Sequence, residues 1–124
     1  MIRRHLTTLA GAGILIVGAG AGLLGVHLGH AATVGASAHK TMKIVEVNGQ
    51  YKFAKKKLTV MKGTKVTWTN TTDAPHTVTG TKGWTFETKT FTQGNSVHFT
   101  FKKAGTYHYM CAVHPYMTAE IVVK

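Results

Sequence analysis

The stretch Ala104-Gly-Thr-Tyr-His-Tyr-Met-Cys-Ala-Val-His-Pro-Tyr-Met117 carries two patterns in succession. Up to Cys111 it alternates. Tyr107, Tyr109 and Cys111 share one parity and His108 and Met110 the other, which is the period of a β-strand. After Cys111 the alternation stops, and His114 and Met117 follow at intervals of three. This predicts a strand ending at Cys111 and a short loop that turns His114 and Met117 back toward it. With Cys111 facing inward, Tyr107 and Tyr109 pack the core beneath it and His108 and Met110 face out.

The strand period extends through residues 39–124. Val66-Thr-Trp68-Thr and Val97-His-Phe99-Thr-Phe101 alternate cleanly, Met42–Val47 and Leu58–Val60 in part, and Ala119-Glu-Ile-Val-Val-Lys124 closes the chain. Valine, threonine and aromatic residues dominate, as strands favour. Asn48-Gly49, Lys62-Gly63, Gln93-Gly94-Asn95 and Ala104-Gly105 punctuate them as turns. Short strands at such spacing predict an all-β chain folded as an antiparallel sandwich or barrel.

Composition sets the bounds. A chain of 124 residues allows one domain with an appendage. At 44% hydrophobic residues it is too apolar for disorder. A single cysteine excludes internal disulfides and sites built on several thiolates. From His39 onward there are 13 Lys, no Arg and 4 acids (Glu46, Asp73, Glu87, Glu120), a formal +9. Such a field favours acidic partners or anionic surfaces, or serves as a solvated face. Nucleic acid is not expected, because arginine, the main reader of phosphate and guanine, is missing there.

Residues 1–38 are of another kind. They hold no acid and only Arg3 and Arg4 as strong bases, and residues 6–28 carry no Asp, Glu, Lys or Arg. Ala36-Ser-Ala38 then offers small residues for a cut after Ala38. The segment reads as a signal peptide or, because the run is long enough to span a bilayer, a retained membrane anchor. Either version places residues 39–124 outside the cytoplasm, at the periplasmic or outer face of the membrane.

Cys111, His114 and Met117 join His76, in Ala74-Pro-His-Thr77, as a soft nitrogen–sulfur donor set. Thiolate and thioether select copper over magnesium or calcium, and two imidazoles with one thiolate and a weak axial thioether make a type 1 copper site. A Cys–His catalytic dyad fits poorly, since residues three apart on a tight loop do not give a separated nucleophile and base. His98 and His108 both read as outward-facing, either as neighbours in a further surface metal site or as ordinary exposed histidines.

The run from Lys43 to Lys124 resembles a small cupredoxin, nearer to amicyanin than to plastocyanin or pseudoazurin. The resemblance rests on Leu58-Thr-Val-Met-Lys-Gly-Thr-Lys-Val-Thr-Trp-Thr-Asn70, on Ala74-Pro-His-Thr-Val78, and on the closing stretch with its two-residue gap between His114 and Met117. It implies a Greek-key β-sandwich and one type 1 copper held by His76, Cys111, His114 and Met117. It further implies that Asn70 ties the two ligand loops together. The implied function is a monomeric carrier of single electrons between redox proteins, not an enzyme. Pro115, lacking an N–H, cannot donate to the Cys111 sulfur. The lysines suggest partners with acidic docking surfaces. The rival function is copper storage or delivery, against which the scattered Met42, Met61 and Met110 argue.

Overall fold

The computed structural model describes residues 38–124, so the signal or anchor reading of residues 1–38 lies outside the described residues. Eight strands follow in order: β1 (His39–Val47), β2 (Gln50–Phe53), β3 (Lys57–Val60), β4 (Thr64–Asn70), β5 (Thr79–Lys82), β6 (Ser96–Phe101), β7 (Gly105–Met110) and β8 (Thr118–Val123). They form two four-stranded sheets, β2-β1-β4-β6 and β3-β8-β7-β5. No described helix is long and apolar enough to cross a membrane.

The expected antiparallel pairing is only partly met. β1 runs parallel to β4 and β3 parallel to β8, one such pair in each sheet. Only β1 and β2 are joined by a tight hairpin, at Asn48 (φ 53°) and Gly49 (φ 74°). Positive φ at both central residues gives the turn whose twist matches paired strands. The chain then leaves for the other sheet, and strands that cross between sheets are free to pair in parallel. β2 and β5 were not foreseen. Each is four residues long and lies at a sheet edge, so neither shows enough alternation to be read.

The sheets meet through an aromatic core. Trp68 on β4 is fully buried and meets Tyr109 on β7 edge-on, with ring centroids 5.6 Å apart; Phe53 on β2 meets Tyr109 at 4.7 Å. Ile44, Val66, Phe101 and Ile121 fill the space around them with no exposed surface. This is the inward set that the alternation implies, Tyr109 included. The irregular segment after β5 folds Trp84 back over the core edge. Its indole N–H donates to the His108 carbonyl at 2.8 Å. Gly80 is what permits this approach, since a Cβ there would stand 2.8 Å from the Trp84 ring.

His98 and His108 do not become neighbours. His98 sits on β6 opposite Thr67, whereas His108 sits on β7 in the other sheet, 3.5 Å from the Glu120 carboxylate. β6 and β7 are consecutive but lie in different sheets, so parity along the sequence could not place their side chains together.

Candidate metal centre

One end of the sandwich gathers the loop after β4 and the loop between β7 and β8. His76 sits in the first, anchored by two backbone hydrogen bonds with Phe91 (His76 N–H to Phe91 O, 3.2 Å; Phe91 N–H to His76 O, 2.9 Å). Cys111 follows β7 directly, and its N–H donates to the Met117 carbonyl at 3.1 Å. The Met117 N–H in turn donates to the His114 carbonyl at 2.9 Å. These bonds close the loop tightly, so that residues three apart in sequence face one place.

His76 Nδ1 lies 3.7 Å and His114 Nδ1 3.9 Å from Cys111 Sγ. The three donor atoms all fall within 4.8 Å of one another. Nitrogen about 2.0 Å and sulfur about 2.3 Å from a shared ion, 120° apart, would be separated by about 3.7 Å. The cluster thus has the spacing of three ligands around one ion. Among the described residues it is the one group of three or more His, Cys, Asp or Glu side chains so arranged. His76 and Cys111 are fully buried and His114 is half-buried. Met117 is buried at the base of the same loop. Pro115 lies exposed beside His114, and the Thr77 N–H, 3.3 Å away, is the backbone donor to the Cys111 sulfur.

A hydrogen-bond chain behind His76 fixes which ring nitrogen is free. Asn70 is fully buried, and its Nδ2 donates to Ala74 O (2.7 Å) and Phe91 O (3.0 Å). Its Oδ1 therefore faces Thr72, whose N–H and hydroxyl both donate to it at 2.9 Å. With its proton used there, the Thr72 oxygen accepts from His76 Nε2–H at 2.8 Å. Nε2 holds the ring proton, and Nδ1, the atom facing Cys111, keeps its lone pair. Burial pushes the His76 imidazole down to about 4, with His114 beside it adding to the shift. The ring is neutral at neutral pH, the form that ligates metal.

Asn70 closes the first loop onto Phe91, but the tie between the two loops is made by Thr77 rather than by Asn70. The Thr77 hydroxyl accepts from Ala112 N–H at 2.7 Å while its own N–H reaches Cys111 Sγ. Asn70 cannot do this because all its side-chain polar atoms are spent within residues 70–91. Sequence reasoning missed Thr72 and Thr77, whose only signal is a hydroxyl four residues before and one after His76. It also missed Tyr51. The Tyr51 ring packs against His76 (5.1 Å) and His114 (4.9 Å), and its hydroxyl donates to Asp73 at 3.0 Å. That bond to the carboxylate, with some burial, raises the Tyr51 phenol above its ordinary range.

Comparisons with known proteins point the same way. Residues 40–124 match the model of the family described as copper binding proteins, plastocyanin/azurin family. An amicyanin of Paracoccus versutus is 31% identical over 77 residues, which are 59% of this chain and 58% of that protein's length. The structure of the Cu(I) form of an amicyanin variant superposes with a TM-score of 0.62 at 32% identity, covering 76% of this chain and 89% of the other. A purple cupredoxin from Nitrosopumilus maritimus shares the fold at 24% identity, with a TM-score of 0.63 over 68% of this chain and 99% of its own.

Proposed function

We propose that this chain, which belongs to the plastocyanin/azurin family of copper-binding proteins, carries single electrons between redox proteins through a type 1 site. Copper is its metal. The ligands we assign are His76, Cys111, His114 and Met117. The observation that carries the reading is the closed cluster of two imidazoles and one thiolate at ligand spacing. Bound copper supplies a Cu(I)/Cu(II) couple. The chain's own residues do the rest. Thr72 and Asn70 hold His76 in one tautomer, and the Thr77 N–H lies against the sulfur. Burial of His76 and Cys111 keeps substrate away from them, which suits a carrier and not an enzyme.

His114 is the half-buried member, and exposed Pro75, Val113, Pro115 and Tyr116 surround it. Electrons leave through its ring to a partner docked on that apolar patch. Lys52 and Lys56 line the adjoining cleft with Tyr51 and Tyr116, so an acidic rim on the partner fits. Residues 39–124 form the copper domain, acting outside the cytoplasm as a monomer, with residues 1–38 as export signal or anchor. The test is an optical and EPR titration of the reduced apoprotein with Cu(II). An intense thiolate-to-copper band at one copper per chain, with narrow hyperfine splitting, is expected. Pale, rapidly exchanging copper would refute the carrier reading and favour copper storage or delivery.

A further inference from the structure

The end of the sandwich opposite the histidines has a composition of its own. Backbone bonds gather there the β3–β4 turn, the β6–β7 turn and the start of β1: Gly63 N–H donates to Phe101 O, Lys62 N–H to Lys124 O and Lys65 N–H to Ala38 O. Lys40, Lys62, Lys65, Lys102 and Lys103 are all exposed on or beside these segments. No Asp or Glu side chain accompanies them. Glu46 lies at the far end of β1, Asp73 in the loop before His76, Glu87 opposite Thr79, and Glu120 opposite Lys57 at the start of β3. The acids thus stand in the half that holds the histidines, and the positive field is concentrated at the other end. β4 and β7 run between the ends, six to seven residues or about 20 Å.

Two further features mark this pole. Met61, at the β3–β4 turn between β3 and Lys62, is 65% exposed, the most exposed of the large hydrophobic residues among those described. Near the β6–β7 turn a cleft of about 290 Å³ is lined by Phe99 and Tyr107 with Lys102 and Lys103 at its edge. Apolar groups set among lysines suit a headgroup layer, where charge meets phosphate and the apolar tip enters below it. The chain also enters the domain here, at Ala38, downstream of residues 6–28 that carry no Asp, Glu, Lys or Arg.

We infer that this lysine pole is a seat for an anionic lipid surface. Docked on it, the domain holds its histidine end about 20 Å away from the bilayer and open to soluble partners. The seat does not depend on the metal or on the fate of residues 1–38.

To test it, the full-length chain is incubated with vesicles of phosphatidylcholine alone or of phosphatidylcholine with phosphatidylglycerol. Lysines are acetylated with a membrane-impermeant reagent and read by peptide mass spectrometry. On anionic vesicles Lys62, Lys65, Lys102 and Lys103 are expected to react about fivefold slower or more, the factor one lysine's attraction to such a surface corresponds to. Lys52, Lys55 and Lys57 keep their rates, and high salt abolishes the difference. In K102Q/K103Q the protection of Lys62 and Lys65 weakens. Equal slowing at both ends, or no dependence on lipid charge, overturns the inference. Stronger protection by soluble polyglutamate than by anionic vesicles also overturns it and assigns the pole to an acidic protein.

Discussion

Asn70→Ala should be among the most damaging single substitutions that touch neither an assigned ligand nor the aromatic core. Four hydrogen bonds end on the Asn70 side chain, two donated to Ala74 O and Phe91 O and two accepted from Thr72. At about 1 kcal/mol net for each, their loss costs about 4 kcal/mol. The cost is not recovered by water everywhere. Ala74 is half-buried, so its carbonyl finds water, and the Phe91 carbonyl keeps the His76 N–H, but Thr72 is buried and its N–H and hydroxyl lose the Asn70 oxygen. We expect a loss of about 3–5 kcal/mol, a large share of the stability of a domain this size. The assay is urea unfolding of the metal-free protein followed by fluorescence, with buried Trp68 as reporter. Thr72→Val removes one of the four, the hydroxyl bond to Asn70 Oδ1, so the double variant should lose less than the sum of the singles. A loss below about 1 kcal/mol with an unchanged denaturant slope, or strict additivity with Thr72→Val, would falsify the network as the support of the His76 loop.

Three other outcomes are expected. Thr72→Val removes the acceptor for His76 Nε2–H and should weaken copper affinity about 10- to 100-fold, while Thr72→Ser retains it; competitive chelator titration distinguishes the two. The metal-free protein should lose stability as pH falls from about 6.5 to about 4, because the unfolded chain takes up a proton there that buried His76 refuses. The slope is at most ~1.4 kcal/mol per pH unit, it flattens below pH 4, and His76→Asn should remove it; urea midpoints across that window that do not move would contradict the assignment. Pro115→Ala adds an N–H to the loop that follows Cys111, whose sulfur has the Thr77 N–H as its backbone donor. The reduction potential should rise, and voltammetry showing no change would mean that the new N–H does not reach the sulfur.

What the sequence made legible follows from the range over which each signal acts. β4, β6 and β7 could be read because each alternates over six or seven residues with large apolar side chains on one face. β5, Thr79–Lys82, has no buried residue at all and owes its existence to pairing with β7. The donor cluster was legible because Cys111, His114 and Met117 fit one loop and His76 is set off by Pro75. The supports of that cluster were not. Thr77 meets Ala112 across 35 residues and Tyr51 meets His76 across 25, and neither residue type is distinctive enough to announce such a contact. Asn70 was noticed, but its partners depend on where Phe91 returns to the loop, which no local pattern encodes.

The parallel pairing of β3 with β8 has a consequence for how the molecule comes into being. β3 stands at the edge of its sheet, and β8, some sixty residues later, is its one ladder partner. A loop of that length must be closed before the ladder yields any gain, which makes for slow, all-at-once ordering. A chain threaded through a narrow pore with its N-terminus leading would keep β3 unpaired until almost everything else had followed. His76 and Cys111, on segments 35 residues apart, would meet only in that last step, so an ion is offered its three donors by the finished molecule and not by the emerging one.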